Sequence, residues 1–342
     1  MTTAVIDVKT HSLITTIPTG FSSSSAFTPD GKIFYVANGS NSNSVSAIDT
    51  KTHSIIASIA IGSIPIVVAI TKDGKLVYVI NRDDNTLSVI NLKTHSLIST
   101  VLTDEQPEGI VFSPDGKLAY IVNSNPAGTI IVMDVSTHSI ISTVSIGDIP
   151  IGVTFTPDGQ LAYVTIRDSN TVSVINVTTH SVIATTTVGV QPNVVAFTPN
   201  GKIAYIAISN INENLYVIDV KTHSVIATVQ IDGDQTDVAF TPDGKLAYVV
   251  SNFTGIVSVI SVKTHSVIAT IPVGTEPIFV VFTSDGKLAY VSNSRGKSVS
   301  VIDTKTHSII ATINMPFNEL SGFISFTPDD KLAYVVELSD EA

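Results

Sequence analysis

Short apolar stretches alternate with polar turns along the whole chain, and none keeps the 3.6-residue period of a surface helix for a useful length. The clearest unit runs from Ala239 to Val250 through a Thr-Pro-Asp-Gly turn, and Thr264-His265-Ser266 follows it. Copies of the turn begin at Thr28, Thr71, Ser113, Thr156, Thr198, Thr241, Thr283 and Thr327. The Thr-His-Ser copies centre on His11, His53, His95, His138, His180, His223, His265 and His307. A near-constant spacing of 42 to 44 residues marks a structural repeat.

One unit reads as four short strands. Gly152–Phe155 leads into the turn at Thr156, where Pro presets the backbone and Gly accepts a positive φ. Leu161–Thr165, Val172–Ile175 and Val182–Thr186 follow, with Thr179-His180-Ser181 turning the last pair. Four short antiparallel strands at this period predict propeller blades, and eight copies predict eight. The chain opens with a third and a fourth strand, Ala4–Asp7 and Leu13–Ile17, and closes with a first and a second, Phe323–Phe326 and Leu332–Val336. The expectation is therefore an all-β, eight-bladed propeller forming one domain over 1–342. Its closing blade is shared between about 319–336 and 1–18, which leaves no long open edge at the ends.

Composition narrows the chemistry. Hydrophobic residues make up 44% of the chain, yet the apolar runs are short, as in Ile64–Ile70, so no membrane-spanning segment is read. The start, Met1 to Asp7, lacks the basic and apolar regions of a signal peptide. With no cysteine there are no disulfides, thiolate metal sites or thiol nucleophiles. A net charge of −11 argues against nucleic acid as a partner.

The second strands contain Tyr35-Val-Ala-Asn38, Tyr78-Val-Ile-Asn81, Tyr120-Ile-Val-Asn123 and Tyr290-Val-Ser-Asn293. With the neighbouring Ser-Val-Ile-Asp and Ile-Ala-Thr-Ile-Pro-Val-Gly segments, this resembles the YVTN β-propeller repeat family over essentially the whole chain. Ile166, Ile208, Ser251 and Glu337 stand where that motif has Asn. The resemblance implies a propeller and leans towards an extracellular or cell-surface recognition protein, while similar folds also carry lactonases and redox enzymes. It assigns no active residue.

Blade geometry sorts the charges. All the lysines except Lys297 fall at tight turns, whereas Arg82, Arg167 and Arg295 all fall in the longer loops. Formal charge then comes to about −12 on the loop side and about +1 on the turn side, a field suited to basic or cationic partners. The residues after the Pro-like position, Ser23, Ile66, Glu108, Ile151, Asn193, Thr236, Ile278 and Gly322, are expected near the inner rim. Candidate binding residues are Glu108, Asp237, Glu276, Arg82, Arg167, Arg295, Ile66, Ile151 and Ile278. An apolar mouth inside an acidic rim suits a protein, a peptide or an amphipathic cation.

Every histidine sits in the same turn of its repeat, where it is expected as a solvated turn residue. One per blade, they cannot converge on a metal, and none is left at the loops for a Ser-His-Asp arrangement or a His-ligated haem. No cofactor is expected, apart from a weak calcium candidate at Asp232, Asp234 and Asp237. The leading reading is a non-enzymatic recognition or surface propeller. The alternative is a loop-face lactonase-like or metal-assisted hydrolase or lyase using Glu108, Asp237 and Arg167.

Overall fold

In each Thr-Pro-Asp-Gly turn, the threonine hydroxyl and the aspartate two residues on hold the chain reversal between them. Thr28 Oγ1 donates to Asp30 Oδ1 at 2.7 Å and accepts the Ile33 amide at 3.1 Å, while Gly31 takes φ 68°. The same contacts recur at Thr71, Thr241 and Thr327. Lysine–aspartate pairs such as Lys32–Asp30 decorate these turns, but both partners are exposed and such pairs contribute little.

The computed structural model describes residues 2–20, 24–39, 42–211 and 213–338. Among them are 32 strands in eight four-stranded antiparallel sheets, and the chain is an all-β, eight-bladed propeller. A representative blade pairs Pro150–Phe155, Leu161–Ile166, Thr171–Asn176 and Ser181–Thr187 in chain order. The second and third strands are buried almost throughout, which explains their near-continuous hydrophobic sequence.

The chain divides into two compact units. One comprises Met1–Asn123, Ile131–Thr143 and Ile313–Ala342; the other comprises Ser124–Ile130 and Val144–Thr312. In the first unit lies the shared blade, where Thr2–Asp7 pairs with both Ser12–Pro18 and Leu332–Leu338, and the latter with Leu320–Phe326. Glu337 closes it. This buried carboxylate accepts the Thr2 amide at 2.8 Å on one oxygen, and the Asn318 and Glu319 amides at 2.7 and 2.9 Å on the other.

Glu337 occupies the position that Asn fills in other blades, and the asparagines show why a polar group belongs there. Asn38 Oδ1 accepts the Gly20 amide at 3.0 Å, while its amide nitrogen donates to Ser44 and Ser46. Asn293 does the same with Gly274, Ser298 and Ser300. At Ile208 the task passes to Gln235, which accepts the Ile208 amide at 3.1 Å and donates to the Glu213 carbonyl at 3.0 Å.

The buried tyrosines link blades within each unit. Tyr78 and Tyr205 lie edge-on to Phe112 and Phe240 of the following blade, and their hydroxyls reach His138 and His265 Nδ1 at 2.7 and 2.9 Å. Tyr35–His95, Tyr163–His223, Tyr248–His307 and Tyr334–His53 repeat that bond. Each histidine takes a left-handed φ of 49–57°, a conformation that normally favours Gly or Asn. The expected solvated turn residue is therefore a latch in these six blades. Tyr205→Phe is expected to cost about 1 kcal/mol in urea unfolding, the usual worth of one such bond. A loss below a few tenths would show that the hydroxyl only packs.

Burial lowers the pKa of His11 and His265. Below their ordinary value of 6.5 the unfolded chain takes up protons that the folded chain resists, so these two groups weaken the fold as pH falls.

Candidate functional site

The loop ends of the blades are shaped by a recurring bulge. In Pro65–Ile70, residue 65 pairs with Asn81 and residue 67 with Ile80, so Ile66 is the extra residue. Glu108, Ile151, Asn193, Thr236 and Ile278 occupy the same bulged place in their blades. A bulge breaks the alternation of faces and re-aims the side chains on either side. Ile66 is buried, while Ile151 and Ile278 are half-buried. Ser23 lies outside the described residues.

The preceding loops are pinned by backbone bonds from the neighbouring loop of the same blade, as in Arg82 N to Ile64 O and Ser294 N to Glu276 O. Ile64 and Glu276 both adopt a φ of 49°. A left-handed β-branched isoleucine is strained, and such strain concentrates at binding sites.

In the first unit, Glu108 and Arg82 act on each other. Burial raises the Glu108 carboxyl pKa, and the Arg82 guanidinium partly offsets it. In the second unit, Arg295 Nε meets Glu276 at 3.1 Å, an exposed pair. Arg167 is exposed.

Asp237 differs from the rest. Its Oδ1 accepts the Val238 amide and its Oδ2 the Val280 amide of the adjacent blade, both at 2.9 Å. Burial pushes its pKa up to about 7, and the two amide bonds only partly counter that. In the first unit Ser24 Oγ accepts the Val68 amide at 3.1 Å, the same service by an uncharged group. First strands are sheet edges, so their free amides need such acceptors.

The calcium candidates do not converge. Asp237 is spent on backbone amides and Asp234 accepts the Phe253 amide at 2.8 Å. Among the described residues no group of three or more His, Cys, Asp or Glu side chains could hold a metal ion.

Comparison with known proteins gives a partial sequence match and several structural likenesses. The sequence model of the cytochrome D1 heme domain family matches residues 204–322. No curated protein matches the sequence. Among solved structures, hydrazine synthase of Kuenenia stuttgartiensis is similar at a TM-score of 0.68 and 22% identity, covering 84% of this chain and 96% of that one. Dihydro-heme d1 dehydrogenase NirN in complex with DHE gives 0.76 and 17%, over 91% of this chain and 69% of that one. The C-terminal WD40 domain of Sif2 gives 0.77 and 16%, over 94% and 96%. At these identities the likeness shows the propeller fold.

The expectation that no cofactor belongs here is overturned by the match of residues 204–322 to a heme domain family. That expectation rested on eliminating axial ligands, whereas a tetrapyrrole is also held by apolar packing and by cations on its carboxylates, which leave no short motif. The ligand geometry still constrains such a group. Within the matched segment, His223, His265 and His307 are engaged with Tyr163, Tyr205 and Tyr248 at the tight turns. Met315 is buried in the same segment. The donor set does not fit an iron held by histidine at the loop ends.

Proposed function

We propose that this chain is a recognition propeller whose loop ends bind a basic protein or peptide, or another cationic partner. The observation that carries this reading is the charge sorting: acids crowd the loops of both units, while the lysines other than Lys297 sit at the tight turns, several of them paired with aspartates. Bulged first strands hold Glu108 at a loop end of the first unit and the half-buried Ile151 and Ile278 at loop ends of the second.

An oligolysine peptide is the direct probe. Fluorescence anisotropy at low ionic strength is expected to show saturable binding that weakens steeply as salt is added. Reversal of Glu108 and Glu276 to Lys is expected to weaken capture about tenfold or more. Binding unchanged by the double reversal would sink the proposal.

A second reading is favoured by the match to the heme domain family: a tetrapyrrole taken up by the matched segment. Arg295, released from Glu276, is one cation of that segment's loops able to meet a ring carboxylate. Saturable absorbance changes on hemin titration, lost in Arg295→Ala, would favour it over the cationic partner.

A further inference from the structure

In several blades the loop between second and third strands has the same short length, and its second residue is charged: Asp83, Asp168 and Arg295. In the loop 252–255 that place is taken by Phe253. Its side chain is 77% exposed, the most of any large apolar side chain among the described residues. A lone exposed ring is ordinary in itself; its setting is what matters here.

The loop is held in place from beneath. Asp234 Oδ1 accepts the Phe253 amide at 2.8 Å, and the Thr254 hydroxyl donates to the Asp232 carbonyl at 3.1 Å. Gly233 comes so close that a Cβ there would meet Thr254 Oγ1 at 2.8 Å. Gln235 ties this pair of loops to the preceding blade by donating to the Glu213 carbonyl at 3.0 Å. Ile211, 53% exposed, stands in that neighbouring loop. The four loops at this end of the two blades, 188–191, 209–214, 230–234 and 252–255, hold Glu213, Asp232 and Asp234 and no lysine or arginine. All of these residues belong to the second unit.

We infer that Phe253 is the docking point for an arginine side chain of the basic partner, with the carboxylates of Asp232 and Asp234 beside it. The inference rests on the proposal that the loop ends take a cationic partner, and it adds which cation and where. Acids alone would not tell lysine from arginine. A planar guanidinium stacks on an aromatic face while its N–H groups reach outward to carboxylates, whereas a compact ammonium is more strongly hydrated. Because the loop is already pinned, little ordering is left for binding to impose.

Fluorescence anisotropy with oligoarginine and oligolysine peptides of equal length is the test. Wild-type protein is expected to bind oligoarginine about threefold or more tightly. Phe253→Leu keeps the amide bond to Asp234 and an apolar side chain, and should abolish that preference while leaving oligolysine within about twofold. Phe253→Trp should enlarge it. Asp232→Asn with Asp234→Asn keeps an acceptor for the Phe253 amide and should weaken both peptides. If neither peptide binds wild type, the cationic-partner reading falls and this inference falls with it. If oligolysine binds, but the arginine preference is absent or survives Phe253→Leu, this inference alone is overturned. Equal capture of an uncharged peptide, or a dimer in sedimentation that Phe253→Leu dissolves, also overturns it, since either gives the ring another occupant.

Discussion

Replacing Glu337 with alanine is expected to destabilise the protein by about 3–5 kcal/mol, well beyond the loss of a single tyrosine–histidine latch. The reason is the number of donors it serves. The carboxylate accepts three backbone amides, from Thr2, Asn318 and Glu319, and the Thr2 hydroxyl approaches at 3.3 Å. Truncation of the buried carboxylate leaves those part-buried amides without their acceptor, and an unpaired amide costs more than the lost bond contributes. The partners also lie at opposite ends of the sequence. Thr2 begins the strand that pairs with Leu332–Leu338, so the same side chain ties the first strand of the chain to the last. Glu337→Gln keeps one good acceptor but turns an NH2 group towards donors, and should fall between wild type and alanine. Urea unfolding decides it: an alanine variant within 1 kcal/mol of wild type would show that water or local relaxation serves those amides.

The sequence announced the blades because their causes are local. A Thr-Pro-Asp-Gly turn needs only residues within five positions of one another, as Thr28, Asp30 and Ile33 show, so its signature survives in every copy. The split closing blade was legible for the same reason, since strands at both ends matched known places in the repeat. Contacts across blades were not. Tyr78 and His138 are 60 residues apart, and the only trace of their bond is that Tyr and His recur together at fixed offsets. Reading the histidines one repeat at a time made them solvated turn residues. Glu337 looked like a lapse from an asparagine motif because its partners, Thr2 among them, come together only when the blade closes. The cofactor expectation failed differently. It tested for ligands, and a ring held by packing leaves no spacing to find.

Asp237 gives the second large effect, and it runs opposite to the usual carboxylate case. The ordinary aspartate value is 3.8, and burial in the fold lifts this one to about 7. Between those values the folded state holds a proton that the unfolded state has released, so the group stabilises the fold most at low pH and that contribution is lost as pH rises through 7. Ser24 suggests the control, because a serine at the same place in another blade accepts the neighbouring amide without ionising. In Asp237→Ser the pH-dependent part should vanish while an acceptor for the Val280 amide remains. The stability of wild type minus that of the variant is expected to fall by about 2–3 kcal/mol from about pH 5 to about pH 8. Taking the difference matters, because His11 and His265 tilt the profile of both proteins the other way over part of that range. A difference that stays flat across the range would mean that the carboxyl keeps its ordinary pKa, and that Asp237 is held in place by a solvated charge instead of a buried proton.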